Sequence, residues 1–199
     1  MNEVRGRAVA IDRADIDTDS IIPAYWLRRI ERTGYGAGLF EAWRRDPSFV
    51  LNDPRYAGAT ILIAGANFGC GSSREHAAWA LAEYGFRAIV APSFADIFRA
   101  NAIGSGIAPV ALPGEVVARL MRAVERDPAT ELRIDVGAAT IDAPAIELHA
   151  LFPLEARAKT RLMFGLDDIA ATLAHEDAIR RHEERRPAWL PSVTYRPTR

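Results

Sequence analysis

Cysteine is nearly missing from this chain: one thiol, Cys70, stands among 199 residues. A single thiol excludes an internal disulfide and fits a reducing compartment. It also excludes a self-contained iron–sulfur cluster, which takes about three or four thiolates from its protein. Lysine is as scarce, with Lys159 the sole example, so nearly all of the 25 basic residues are arginine. Net charge is close to absent at −1, which leaves no large field to gather nucleic acid or anionic lipid. No apolar run approaches the roughly 20 residues that span a bilayer. The opening "MNEVRGRAVAIDRADIDTD" lacks the apolar centre of a secretory signal. There is no internal repeat and no low-complexity tract. A cytoplasmic protein that binds neither nucleic acid nor membrane is the expectation.

What is present is an ordinary globular balance, 49% apolar and 26% charged, in a chain long enough to bury a core without staples. "GRAVAI" reads as a strand, followed by an aspartate-rich turn. Glycines and prolines break residues 24–58 into loops and short helices. "ATILIAG" is a continuous apolar, β-branched run, as expected of a strand buried on both faces. "REHAAWALAEYG" is an amphipathic helix with Ala77, Leu81 and Tyr84 at i, i+4 and i+7, ended by Gly85. "RAIVAP" is the next strand, completing a βαβ unit. "SFADIFRANAIGSG" predicts a short helix with a serine cap. "IAPVALP", "ELRIDV" and the "ATIDAPAIELH" region predict further strands, and "EVVARLMRAVERD" another amphipathic helix. The C-terminal third is helical with Gly165 as punctuation. The predicted organisation is one α/β domain over residues 1–150, built on a mixed, largely parallel sheet. A helical extension and tail over residues 151–199 pack on the same domain.

The loop "NFGCGSSREHAAWAL", residues 67–81, concentrates polarity between a buried strand and a helix. Ligands of α/β proteins sit there, outside the carboxyl ends of strands. The first helical turn offers unpaired N–H groups and partial positive charge, an anion site. Gly69 and Gly71 let the backbone approach a ligand. Arg74 adds a fork suited to a carboxylate, and a cation at this end of a helix is unfavourable unless an anion faces it. The plain alternative is that Ser72 or Ser73 is an N-cap and Arg74 a solvated residue. No phosphate-binding lysine motif, nucleophile elbow or C-x-x-C is present. Cys70 reads as an inert buried thiol. Glu75 and His76 could orient Arg74 or the ligand, or satisfy local backbone. His149, His175 and His182 show no metal-ligand spacing. The "DIDTD" cluster is read as Asx-turns rather than as a metal site, so no metal is assigned.

These motifs carry a resemblance. "DIDTDSIIPAYWL", "RTGYGAGLFEAWR", "NFGCGSSREHAAWAL", "APSFADIFRANAIGSGIAPV" and "GLDDIAATLAHEDAI" occur in the order found in the small-subunit family of 3-isopropylmalate dehydratase, the swivelling domain of the aconitase superfamily. The likeness runs from about Val4 to Trp189. It implies a three-layer ββα swivelling domain that acts with a separate large subunit, as heterodimer or heterotetramer, the large subunit holding a 4Fe-4S cluster. One iron would act as Lewis acid on the leaving hydroxyl. The implied reaction is dehydration and rehydration between 2-isopropylmalate and 3-isopropylmalate via 2-isopropylmaleate, in leucine biosynthesis. The lone cysteine agrees that a partner must hold the cluster.

Carried onto this sequence, the resemblance makes Ser72 the catalytic base, and Ser73 and Arg74 binders of a substrate carboxylate. Arg32 matches a second carboxylate-binding arginine, with Arg28 or Arg29 as substitutes. Tyr25, Trp26, Leu27, Arg28 and Arg29 match the loop that distinguishes substrate side chains. Trp26 and Leu27 are candidates for an apolar wall, while Arg28 and Arg29 suit an acidic side chain, solvent or the partner. Gly69, Gly71, Glu75 and His76 would support the site. Ala78, where bacterial members carry proline, and "MFGLDDIAATL" depart from the family pattern. They leave open a paralogue for citramalate-, methylmalate- or homoaconitate-type acids. A non-catalytic carboxylate-binding module is the alternative from a different class.

Overall fold

The computed structural model describes residues 1–31, 33–165, 168–173, 175–187 and 189–191. Two compact units result, Met1–Gly165 and Leu166–Arg199.

The first unit is organised by one long strand. β1 (Glu3–Ile11) pairs over Ala8–Ile11 with β2 (Ile61–Ala64) in parallel, and over Glu3–Arg7 with β5 (Glu131–Asp135) in antiparallel sense. β3 (Ala88–Ala91) and β4 (Ala108–Ala111) extend the parallel side. β6 (Thr140–Ala143) and β7 (Leu148–Leu151) extend the antiparallel side. The order β4-β3-β2-β1-β5-β6-β7 makes a seven-stranded mixed sheet among the described residues.

Burial follows strand sense. Every residue of β2 and β3 is fully buried, as their unbroken apolar runs require. Along β5 only Leu132 and Ile134 are buried, the alternation of a sheet covered on one face. Pro109 sits in β4, an edge strand, where its missing N–H costs no ladder bond.

Helix α1 (Thr18–Ile21) and helix α2 (Glu41–Arg44) are single turns. α3 (Glu75–Tyr84) buries Ala77, Ala78, Ala80 and Leu81, and ends at Gly85 with φ +121°. α4 (Asp96–Gly104) packs against α3. α5 (Gly114–Arg126) lays Val117, Leu120, Met121 and Val124 across β1, β2 and β3. α6 (Ala156–Phe164) closes the unit and stops at Gly165, φ +64°. The second unit holds α7 (Asp168–Leu173) and α8 (Glu176–Glu184). Among the described residues no helix is long and apolar enough to cross a membrane.

One local expectation fails. No serine caps α4: its N-cap is Ala95, without a side-chain bond. The Ser93 hydroxyl instead accepts from the Asn67 N–H at 2.9 Å, so a neighbouring loop has claimed the nearest capping group.

Candidate functional site

Three loops leave the carboxyl ends of β1, β2 and β3, which run parallel, and they continue to pair beyond the strands. The Gly69 N–H donates to Ile16 O at 2.7 Å and the Thr18 N–H to Cys70 O at 3.0 Å. On the other side the Phe68 N–H donates to Ser93 O and the Ala95 N–H to Phe68 O, both at 3.0 Å. The loop carrying Ser72 is thus a ribbon held between its two neighbours. Phe68, fully buried, anchors it edge-on to Phe94 and Phe98.

The backbone of this ribbon needs glycine where it turns. Gly69 has φ +77°, and a Cβ there would stand 2.1 Å from Phe98 Cγ. Gly69→Ala therefore combines left-handed strain of ~1–2 kcal/mol with overpacking of ~1–3 kcal/mol. Gly85, φ +121°, has nothing within 4 Å of its would-be Cβ, so Gly85→Ala bears strain alone. Denaturant midpoints should fall further for Gly69→Ala; equal falls would mean Phe98 yields freely.

Ser72 and Ser73 are exposed and neither caps α3, whose N-cap is Arg74 without a side-chain bond. Among the described residues, the N–H groups of Ser72, Ser73 and Arg74 have no protein hydrogen-bond partner. α4 begins beside them, also uncapped. Two helix N-termini thus border one cleft of about 230 Å³, lined by Thr18, Gly69, Gly71, Ser72, Ser73, Arg74 and the first residues of α4. Unpaired N–H donors and two positive helix ends favour an anion here, while Asp96 in the same lining opposes one.

Arg74 is 16% exposed at its side chain and is ion-paired with Asp19. The cation that opposes the α3 dipole is therefore met by an anion from the chain itself. Asp19 is half exposed, so the pair borders solvent and the guanidinium fork can be shared with an incoming carboxylate. Cys70 is partly buried rather than sealed in the core, and burial, then the Asp15 and Asp17 carboxylates, push its thiol pKa up, which disfavours the thiolate. Among the described residues no group of three potential metal ligands occurs.

Of the residues assigned to side-chain discrimination, Tyr25, Trp26, Leu27 and Arg28 lie on a short 3-10 turn, Ala24–Arg28, with Arg29 as its C-cap, and none of the five lines the cleft. Trp26 Nε1 donates to Glu41 Oε2 at 2.6 Å, and the Tyr25 hydroxyl donates to the same oxygen. These donors hold the Glu41 carboxyl below its usual range, and the bond to Glu41 raises Tyr25. Trp26 also occupies the space over Gly38, where a Cβ would come within 2.5 Å of the indole. Arg29 stacks over Trp26 at 5.0 Å and lies 3.7 Å from Glu31. Leu27 is half-buried and Arg28 exposed. His76 packs between Tyr35 and Trp79, at 5.2 and 4.6 Å between ring centroids, and Glu75 is exposed in the first turn of α3. Neither lines the cleft. Arg32 lies outside the described residues.

The cleft thus brings together Gly69, Gly71, Ser72, Ser73 and Arg74. Sequence reasoning misses Thr18, Asp19 and Glu41 as partners. "DTD" is a visible motif, but its bonds to the loop cross more than fifty residues, which no spacing rule reads.

Comparisons with known proteins identify the family. The family model described as the aconitase C-terminal domain matches residues 1–115, and the model for the C-terminal domain of the 3-isopropylmalate dehydratase small subunit matches residues 168–191. A protein of Frankia alni named 3-isopropylmalate dehydratase small subunit is 57% identical over 188 residues, 94% of this chain and 95% of its own length. One of the same name from Rubrobacter xylanophilus is 49% identical, over 97% of this chain and 98% of its own. The crystal structure of a Methanocaldococcus jannaschii 3-isopropylmalate dehydratase superposes with a TM-score of 0.66 at 26% identity, covering 90% of this chain and 99% of that one. The superposition shows that the two chains share one α/β fold. Identity of this extent over nearly the whole length places the chain in the 3-isopropylmalate dehydratase small-subunit family.

Proposed function

We propose that this chain is the small subunit of a two-chain hydro-lyase that interconverts 2-isopropylmalate and 3-isopropylmalate through 2-isopropylmaleate, in leucine biosynthesis. The observation that carries it is the placement of Ser72, Ser73 and Arg74 at an uncapped helix N-terminus in a cleft. Ser72 takes the proton from the carbon next to a carboxylate. The electron pair left behind forms the carbon–carbon double bond as hydroxide departs from the neighbouring carbon. Water then adds back with the two carbons exchanged. A serine hydroxyl is weakly acidic, so its oxyanion needs the free N–H groups and positive helix ends around it. Ser73 and Arg74 hold the carboxylate. Arg32 and the turn Tyr25–Arg29 complete recognition of the second carboxylate and the isopropyl group, with Trp26 braced on Glu41. The substrate site lies on the sheet-bearing unit.

The residues here do not fit an iron–sulfur cluster: one thiol, its pKa raised, is the full supply. The 4Fe-4S group belongs to the large partner, and Lewis acidity toward the leaving hydroxyl falls to it. The name shared by the relatives favours isopropylmalate over citramalate-, methylmalate- or homoaconitate-type acids. The decisive experiment mixes the purified chain with a cluster-bearing large subunit under anaerobic conditions. Neither chain alone should form isopropylmaleate, and the mixture should. Turnover by this chain alone overturns the reading, as does tight calorimetric binding of a dicarboxylate to it with no activity in the mixture, which would leave only a binding module.

A further inference from the structure

Thr18 is one of two buried polar side chains among the described residues, 2% exposed. A buried hydroxyl needs a partner, and this one donates to the carbonyl oxygen of Ser72 at 2.8 Å. The Thr18 N–H donates to the carbonyl of Cys70 at 3.0 Å. One residue therefore grips the loop at two alternate carbonyls, with Gly71 between them.

Gly71 is where such a loop is weakest. Its φ is +84°, and glycine enters either sign of φ with little preference, so rotation there would swing the Ser72 backbone without a steric penalty. Thr18 itself cannot follow. It stands at the start of α1, which Asp17 caps by accepting the Ser20 N–H at 2.6 Å, and Ile21 and Ile22 are fully buried. The next residue, Asp19, ion-pairs with Arg74. Positions 17–19 thus meet the loop along its length from Cys70 to Arg74.

Peptide planarity transmits the grip. The C=O of Ser72 and the N–H of Ser73 lie in one rigid plane and point in opposite directions within it. Fixing the carbonyl toward Thr18 turns the Ser73 N–H the other way, where it has no partner among the described residues. We propose that Thr18 is a positioning residue for the reaction: its hydroxyl locks the peptide between Ser72 and Ser73, and so sets the aim of the Ser72 oxygen and of the adjacent N–H donor. The inference rests on Ser72 being the base.

The test compares Thr18→Val and Thr18→Ser in the complex with the large subunit. T18V removes the donor at nearly constant size. Misplacement by about 1 Å costs on the order of 10²-fold in rate, so T18V should lower kcat by roughly 10- to 100-fold with KM little changed, and T18S should recover most of the rate. T18V within about twofold of the unaltered complex overturns the inference. So does T18S as slow as T18V, which would assign the effect to the methyl group, or a loss confined to KM. If T18V does not assemble, Thr18→Cys, with a much weaker donor, replaces it: rates equal to T18S overturn the inference and a selective fall in kcat supports it. Ser72→Ala is run alongside. Full activity there removes the parent reading, whereas an inactive S72A beside a fast T18V removes the Thr18 inference alone.

Discussion

Ser72→Ala should lower kcat of the assembled complex by roughly 10³- to 10⁴-fold and leave the fold and subunit association unchanged. The magnitude is that of a lost general base, about 4 to 5.5 kcal/mol of barrier. The selectivity follows from the structure. The Ser72 hydroxyl caps no helix and is exposed, so alanine removes nothing that the folded state uses. The bond from Thr18 goes to the Ser72 carbonyl, which alanine retains. Unfolding midpoints and the elution volume of the complex should match the unaltered protein, while the rate of isopropylmaleate formation should not. A rate within tenfold of normal would take the proton-removing role away from Ser72.

Arg74→Gln should reduce kcat/KM by about two orders of magnitude, on the order of 3 kcal/mol, the scale of truncating a desolvated charge partner. Glutamine keeps much of the length and the polarity but loses the charge and the fork. Arg74→Lys should recover only part of the loss, because an ammonium is a point charge without bidentate geometry. Stability should change little in either variant: Asp19, the ion-pair partner of Arg74 among the described residues, is half exposed and returns to water cheaply. Steady-state kinetics against substrate concentration, with denaturation curves beside them, separate the two effects. Unchanged kcat/KM in R74Q would mean that the substrate carboxylate is held elsewhere.

Local signals are readable wherever chemistry is local. The apolar runs of β2 and β3, the periodicity of α3 and the stop at Gly85 all appear where hydrophobic pattern and glycine punctuation put them. β1 begins three residues before the predicted "GRAVAI", at Glu3, because its first half pairs with β5 more than a hundred residues away. Likewise Ser93 has the look of a cap but serves Asn67. At the site, the serines, glycines and arginine of the central loop are legible as a motif. The acids opposite are legible only as turn formers: Asp17 does cap α1, but Asp19 reaches Arg74 and Thr18 reaches Ser72 through tertiary contact. The resemblance makes Trp26 a candidate apolar wall, and only the fold reveals that Glu41 holds its indole nitrogen.

The divided pairing of β1 bears on how the architecture can be altered. Its amino-terminal half is committed to β5 and its carboxy-terminal half to β2, so the sheet has no seam at its centre where new strands could slip in. Among the described residues, additions should be tolerated only along the two outer rims, beyond β4 or β7, and the proline at position 109 discourages the first. Laboratory grafting of extra strands onto this scaffold should therefore start from the β7 side, the rim that β6 and β5 separate from the strands that feed the cleft.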